Sequence, residues 1–351
     1  MKTAIRAGSI SLPVNIRLLV VSGLTVVLTW VAFASHVALG DYPLTLADVM
    51  RVLLGDGTAI ENKIVFEVRM SRAVVAVLTG MALGFAGALT QSVARNPLAS
   101  PDVLGITQGA ACAVVLTIAG TGVFLPDSVG RFLTGLGLPL VAILGAFIAA
   151  SVIWWLAKPA RGSTMSLVLI GVGAAIFLQS ISTWAMAYTD TDRAASARLW
   201  ITGSLNGRDW NQMWGPLLAV VGALLIAGWL SFQLSALSLG NATAHTLGHN
   251  VTRAQLVQLI VALILTAVAV SAAGPIGFVA FVTPQIARLA GGTPTPPPVL
   301  SALMGGLLVL TADLVARVAL PWELPVGIIT AFFGAPVLIA LIISLNRKSS
   351  V

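Results

Sequence analysis

Few side chains in this sequence could carry out chemistry, and four charged residues are the most informative of them. Arg69 and Arg72 lie three positions apart, a spacing that puts both on one face of a helix. A guanidinium group binds a carboxylate through two parallel hydrogen bonds, so this pair suits an acidic partner. Asp313 and Arg317 lie four positions apart within an apolar stretch, which favours a helical ion pair. Because charges in apolar stretches usually have partners, we expect this pair to be structural.

No pattern of catalytic residues is recognisable. A Walker loop, which binds nucleotide phosphates, requires Gly-Lys followed by Ser or Thr, and no lysine of this chain follows a glycine. The single cysteine, Cys112, excludes an intrachain disulfide and a cysteine-based metal cluster. His245 and His249 have the spacing of two metal ligands on a helix, but no third ligand is near and Gly248 is expected to end the helix between them. We therefore predict neither an enzyme nor a bound metal or cofactor.

The composition indicates a membrane protein. Hydrophobic residues make up 58% of the 351 residues and charged residues 9%, against about 45–50% and about 25% in soluble domains. These values exclude a soluble enzyme and a disordered chain, and the net charge of +7 forms no basic stripe that would suit a nucleic acid. A membrane-spanning helix needs about 20 apolar residues. Ten apolar windows are present: 16–35, 70–93, 103–120, 138–157, 165–187, 213–232, 256–273, 275–290, 298–319 and 325–345.

Ten spans predict an all-α polytopic fold in a single membrane domain, residues 1–351, with both termini on one side. If that side is the cytoplasm, the inside segments hold ten basic residues and one acid. The basic residues alone favour this orientation only slightly, because nine others lie in the outside segments and at span ends. The short window at 275–290 predicts a partial or broken span, which is tolerated only where protein buries it. The segment 41–67 is typical of a surface amphipathic helix, and the polar segment at about 233–252 is expected to be cytoplasmic.

One string is far more specific than the composition. Residues 95–105 read Arg-Asn-Pro-Leu-Ala-Ser-Pro-Asp-Val-Leu-Gly, in which two prolines prevent a continuous helix. The string resembles the signature of the FecCD-type permeases, the membrane subunits of type II ABC importers for ferric siderophores, haem and cobalamin. Further matches follow in the family's order over nearly the whole chain: Arg69-Met70-Ser71-Arg72, Leu199-Trp200, Gly203-Ser204-Leu205, Leu237-Ser238-Leu239-Gly240, Gly274-Pro275-Ile276-Gly277-Phe278 and Glu323-Leu324-Pro325-Val326-Gly327. In detail, these motifs look most like those in subunits of ferric catecholate or ferric citrate permeases.

The resemblance implies roles for residues at both ends of the spans. Arg69, Arg72 and Arg317 match residues that dock a periplasmic binding protein, and anchoring at the membrane interface is the alternative. The cytoplasmic gate is matched by four residues, for which ordinary loop packing is the alternative: Thr164, Met165, Asn96 and Leu98. The loop that contacts the ATPase is matched by Gly240, Asn241, Ala242, Ala244, His245, Leu247 and Gly248.

The resemblance also implies an assembly in the bacterial inner membrane. Two permease subunits, a heterodimer in preference to a homodimer, would form the translocation path for a ferric siderophore. Two ATPase subunits would hold ATP and magnesium, which this chain does not bind, and a periplasmic binding protein would deliver the substrate. Lipid surrounds the spans, and no nucleic acid is involved.

Two other functions remain open, together with haem or cobalamin as the substrate. An ion-coupled secondary transporter would need carboxylates inside the membrane, and Asp313 is the candidate. An intramembrane enzyme or receptor would need a polar cluster within the spans. Three departures from the family pattern affect the details: Ser71 replaces the usual proline, Gln285 the usual histidine after Pro284, and Asn241-Ala242 the usual acidic pair.

Overall fold

The computed structural model of the chain describes residues 2–7, 10–40, 42–102, 105–157, 164–238, 240–319 and 322–349. Within these ranges the structure is helical apart from an antiparallel hairpin, β1 (Lys2–Ala7) and β2 (Ile10–Asn15), which the sequence analysis did not anticipate. The all-α fold class is confirmed. The helices are α1 (Ile16–Ala38), α2 (Leu46–Leu53), α3 (Ala59–Asn62), α4 (Ser71–Ala94), α5 (Ile106–Gly120), α6 (Asp127–Leu136), α7 (Leu138–Ala157), α8 (Thr164–Ala187), α9 (Thr191–Ile201), α10 (Trp214–Leu225), α11 (Ala227–Ser238), α12 (Asn241–Thr246), α13 (Val251–Ala273), α14 (Val279–Gly291), α15 (Pro298–Val318) and α16 (Val326–Ser349).

The long apolar helices follow the predicted windows closely. Six helices in the described residues are long and apolar enough to cross a membrane, or seven if α10 and α11 form one bent span. Shorter apolar helices lie at Ile106–Gly120 and Val326–Ala340, and α14 has only 13 residues, as the predicted broken span requires. The chain is thus a multi-pass membrane protein, while the number of ten spans stays a prediction.

The core of the bundle is the crossing of α4 and α15, where glycines bring two backbones into contact. A Cβ atom added to Gly80 would lie 2.2 Å from the carbonyl oxygen of Gly305, and one added to Gly305 would lie 2.1 Å from that of Gly80. One turn further along α4, a Cβ on Gly84 would lie 2.2 Å from the carbonyl oxygen of Ser301. Small residues allow such close packing of helices in lipid, and α4 is consequently the most deeply buried span.

Loops meet at one end of the bundle, which we call the Arg72 end. There the segment that follows α9 hydrogen-bonds to the ends of two other spans: Ser204 N donates to the Ala273 carbonyl at 2.9 Å, and Gly327 N donates to the Gly203 carbonyl at 3.1 Å. The predicted amphipathic segment 41–67 also lies at this end. It folds as α2 and α3, each begun by a capping box, and a π-helical segment (Lys63–Met70) leads into α4.

The opposite end, which we call the Arg95 end, holds residues 95–102 of the proline-containing string and the polar loop that contains α12. Arg95 has a left-handed backbone (φ 49°) that terminates α4, and its Nη2 donates to the Leu237 carbonyl at 3.0 Å. Arg17, near the start of α1, donates from Nε to the Ala290 carbonyl at 2.7 Å. Between the two ends, α10 and α11 meet at an angle of 60°.

Candidate functional site

A cluster of charged side chains, all buried except the exposed Glu323, lies at the Arg72 end, where α1, α4 and α15 meet. We call it the Arg72 cluster; its members are His36, Arg69, Arg72, Asp313, Arg317 and Glu323. Its centre is a bidentate pair in which Arg72 Nε donates to Asp313 Oδ2 at 2.8 Å and Arg72 Nη2 donates to Asp313 Oδ1 at 2.9 Å. Arg72 also donates to Glu323 Oε2 at 3.1 Å. This paired geometry satisfies charges that would otherwise be very costly to bury.

His36 completes the partners of the central carboxylate. Its Nε2 donates to Asp313 Oδ2 at 2.8 Å, and both side chains are fully buried. The other ring nitrogen, Nδ1, has no hydrogen-bond partner in the described residues. Sequence reasoning missed His36 because it lies one residue beyond the first apolar window, and its only signal was an ionisable residue at the end of a span.

The remaining two arginines of the cluster cap the end of α1. Arg69 Nη1 donates to the carbonyls of Val37 and Ala38, at 2.9 Å each. Arg317 Nη2 donates to the carbonyl of His36 at 2.6 Å. The last carbonyls of a helix have no partners within it, and cations near them are favoured by the helix dipole. The two guanidinium groups therefore fix α1 to the bundle.

The structure corrects the expected ion pair between Asp313 and Arg317. The salt bridges of Asp313 run to Arg72 and His36, whereas Arg317 donates to backbone carbonyls of α1 and the loop after it. A four-residue spacing does permit an ion pair within one helix. However, the guanidinium of Arg72 on α4 offers two aligned donors to the Asp313 carboxylate, and such a bidentate contact is stronger than a single hydrogen bond.

The three arginines predicted to dock a binding protein do lie together, but they are not exposed. Their exposed fractions are 3% for Arg69, 4% for Arg72 and 7% for Arg317. In this conformation each of the three arginines donates to internal acceptors, so a direct docking role would need the cluster to open. Docking stays a prediction.

The predicted gate residues lie at the Arg95 end, in or beside the string 95–105. The Asn96 side chain accepts a hydrogen bond from Leu98 N at 2.9 Å, which closes a turn that leaves Leu98 37% exposed. Thr164 and Met165 begin α8, and their side chains lie outside the described residues.

At the same end, the Thr107 hydroxyl donates to the carboxylate of Asp102. Burial raises the pKa of Asp102, and this hydrogen bond opposes the rise.

The predicted ATPase-contact loop forms a short exposed helix, α12. His245 and Leu247 are exposed, Ala244 is buried, and the side chains of Asn241 and Ala242 lie outside the described residues. His249 does not approach a metal site: its Nδ1 lies 2.9 Å from Gln233 Oε1 and its ring packs on Phe232. No group of three possible metal ligands occurs among the residues with described positions. The loop is thus held against α11 by His249.

Gln285, which differs from the family pattern, also forms a hydrogen bond within the core. Its Nε2 donates to Gln91 Oε1, and Gln91 Nε2 donates to the Phe281 carbonyl at 2.9 Å. Both glutamines are buried, so the pair joins α4 to α14 near the Arg95 end.

One long face of α8 is exposed although the helix is apolar enough to span a membrane. Gln179 is exposed, and its side-chain amide has no hydrogen-bond partner among the described residues. The neighbouring Ser180 and Thr183 are exposed as well, and their hydroxyls donate to backbone carbonyls of α8. Gln179 lies eight residues from the end of α8, about 12 Å along the helix axis. An unpaired amide at this depth is unfavourable against lipid; the face therefore requires water or protein beside it.

Comparisons with known proteins agree with these features. The model of the FecCD transport family matches residues 28–344. The ferric enterobactin transport system permease protein FepG of Escherichia coli is 36% identical over 310 residues, covering 88% of this chain and 91% of that protein. The iron(3+)-hydroxamate import system permease protein FhuG of Bacillus subtilis is 34% identical over 333 residues, covering 93% and 98%.

A solved structure, a metal-chelate type ABC transporter in an inward-facing conformation, superposes with a TM-score of 0.78 at 23% identity. The alignment covers 93% of this chain and 99% of that one, and it supports the same fold. With a family match over most of its length and relatives above 30% identity, the chain belongs to the FecCD transport family.

Proposed function

We propose that the chain is the permease subunit of an ATP-driven importer that moves a ferric siderophore from the periplasm to the cytoplasm. The observation that carries this proposal is the exposed polar face of α8, which needs a neighbour other than lipid. A second permease subunit opposite this face would enclose a water-filled path between the two. Relatives named for ferric enterobactin, ferric dicitrate and ferric hydroxamate transport favour a ferric chelate over haem or cobalamin as the cargo.

The two ends of the bundle suit two different partners. We assign the Arg95 end to the cytoplasm of an inner-membrane protein, with both termini there and an ATPase subunit on α12 and the segment 233–252. The exposed side chains of His245 and Leu247 would contact that ATPase. The Arg72 end would then face the periplasm and receive a binding protein. A heterodimer with a related permease remains our preferred arrangement.

The energy source tests the proposed function most directly. In proteoliposomes that contain the complete transporter, uptake of a 55Fe-labelled chelate should require ATP and should survive collapse of the proton gradient by a protonophore. The ion-coupled alternative predicts the reverse result. The buried partners of Asp313 favour the first outcome, since a carboxylate held by Arg72 and His36 is poorly placed to exchange ions.

Replacing Gly248 by valine should uncouple the cytoplasmic loop. Gly248 has a φ of 84° with nothing within 4 Å of an added Cβ, so the penalty comes from the backbone alone. It amounts to about 1–2 kcal/mol for an L residue and more for a β-branched one. We expect ATPase retention during purification and coupled uptake to fall several-fold while the protein still inserts. Gly23→Val, at an exposed glycine of α1 with the same free space, is the control. Equal uptake by the two variants would contradict the coupling role.

Replacing Arg317 by glutamine separates docking from helix capping. If Arg317 docks the binding protein, association per folded permease molecule should weaken and lose part of its salt dependence. If Arg317 only caps α1, thermal stability should fall by about 1–3 kcal/mol, because carbonyls of α1 lose a charged donor, and association per folded molecule should be unchanged. Binding measured by surface plasmon resonance on size-selected protein, beside a melting curve, distinguishes the two roles.

A further inference from the structure

Three aromatic side chains form an exposed group beside the polar face of α8, at the Arg72 end. We call it the aromatic platform; it consists of Phe124, Trp184 and Tyr188. The rings of Phe124 and Trp184 stack with centroids 4.3 Å apart and planes inclined by 26°, and Tyr188 packs 5.6 Å from Trp184. Trp184 nevertheless remains 49% exposed and Tyr188 64% exposed. The platform therefore presents ring surface that no described residue covers.

The platform is rigidly mounted. The turn that carries Phe124 is closed by hydrogen bonds from Phe124 N and Leu125 N to the Gly120 carbonyl, both 2.8 Å. Arg193 donates to the Thr121 carbonyl and thereby links this turn to α9. Below the rings, α5, α8 and α9 share a small buried cluster of Val115, Ala119, Ala185 and Ala197. A surface held in this way loses little conformational entropy when it binds a ligand.

Lipid is a poor neighbour for this surface. Trp and Tyr often lie at membrane interfaces, which would explain the platform by itself. However, Trp184 lines a shallow surface concavity of about 500 Å³ together with the apolar Ile176 and Ala187 and the polar Gln179, Ser180 and Thr183. The unpaired side-chain amide of Gln179 disfavours lipid there. The indole N–H of Trp184 and the hydroxyl of Tyr188 also have no hydrogen-bond partner among the described residues. The platform thus borders the same space that the proposed function assigns to the translocation path.

We propose that the aromatic platform is a contact site for the aromatic ligand arms of a ferric chelate, and specifically of a tris-catecholate, as the chelate enters the path. This inference rests on the proposed function. Stacked rings favour a further ring through the same offset or edge contacts, and free N–H and O–H donors suit the phenolate oxygens of a catecholate. The segments that adjoin the platform in sequence carry three acidic and three basic residues, Asp127, Asp190, Asp192, Arg131, Arg193 and Arg198. Because these charges balance, ring stacking rather than net charge is the proposed source of selectivity.

The test compares two chelates and three variants of the complete transporter in proteoliposomes supplied with its binding protein. The probes are a 55Fe-tris-catecholate and a 55Fe-trihydroxamate without aromatic rings. The variants are Trp184→Leu with Tyr188→Leu, the ring-preserving Trp184→Phe with Tyr188→Phe, and Trp214→Leu, which removes an exposed indole from α10 away from the platform. Initial uptake is expressed as the ratio of variant to parent for each chelate, which cancels the delivery step.

We expect the double leucine variant to lower tris-catecholate uptake about tenfold, the size that the loss of two aromatic contacts gives. Trihydroxamate uptake should stay within twofold of the parent, the double phenylalanine variant should retain most tris-catecholate uptake, and Trp214→Leu should change neither. Equal losses for both chelates, unchanged uptake of both, or dissociation of the permease pair on size-exclusion chromatography would overturn the platform assignment.

The parent transporter separates the failure of this inference from failure of the proposed function. A parent that carries the trihydroxamate but no tris-catecholate overturns the platform assignment and leaves siderophore import intact. A parent that carries neither ferric chelate, while it transports another metal chelate, overturns the siderophore proposal itself and the platform assignment with it.

Discussion

Replacing Asp313 by asparagine is expected to destabilise the protein more than any other single charge change. The carboxylate is fully buried and is shared by Arg72, through two hydrogen bonds, and by His36. Asparagine keeps the shape but presents one oxygen and one NH₂ group, so at least one arginine donor loses its acceptor. Breaking a buried pair by removing one partner costs about 3–5 kcal/mol. We expect little folded protein in detergent extracts and a sharply lowered melting temperature.

The control for this prediction is Asp190→Asn, in the exposed pair that Asp190 forms with Arg193 at the same end of the molecule. Exposed pairs contribute little, so that variant should be expressed and should melt like the parent. Normal stability of Asp313→Asn combined with loss of proton-dependent uptake would instead support the ion-coupled alternative. Restoring the parent's stability by a second change, Arg72→Met, would confirm that the unpaired guanidinium is the source of the defect.

Replacing Gly80 by valine should prevent the bundle from closing. Any Cβ at this position would lie 2.2 Å from the Gly305 carbonyl oxygen, a backbone atom that cannot rotate away. Overpacking in a core usually costs about 1–3 kcal/mol, and here α4 and α15 must also separate along their whole crossing. We expect loss of the monodisperse peak on size-exclusion chromatography and faster proteolysis. Gly80→Ala should show the same defect in milder form.

Gly222 provides the matched control, because it is an exposed helical glycine in α10 with nothing within 4 Å of an added Cβ. Gly222→Val should leave folding and uptake close to those of the parent. If Gly80→Val and Gly222→Val behave alike, close contact between α4 and α15 is not what holds the bundle together.

Sequence alone predicted the elements well where apolar periodicity was uninterrupted. The window 138–157 coincides with α7, and the short window at 275–290 corresponds to the short helix α14. The family resemblance was confirmed by the match over residues 28–344. Composition and linked motifs carry this information because each span must bury its own backbone and present an apolar surface to lipid.

Partners of the charged residues could not be predicted in the same way. Spacing suggested Arg317 as the partner of Asp313, but Arg72 reaches that carboxylate from a helix 241 residues away in sequence. His36 was overlooked because nothing near it in sequence hinted at Asp313. Burial of Arg69 depends on the path of the chain after α1, which periodicity does not encode. Contacts between distant segments of a chain require the fold itself.

The fastening of α1 at both ends has a consequence for biogenesis. Its C-terminal carbonyl at His36 and the imidazole of His36 meet their partners, Arg317 and Asp313, about 280 residues later in the chain. Near its start, Arg17 meets Ala290 across 273 residues. At synthesis rates of about 5–20 residues per second, α1 waits for tens of seconds in the membrane with a histidine and several carbonyls unsatisfied. α1 is therefore locked only after the spans that follow it have been made, and an insertion factor that shields its polar end during that interval would protect the nascent permease.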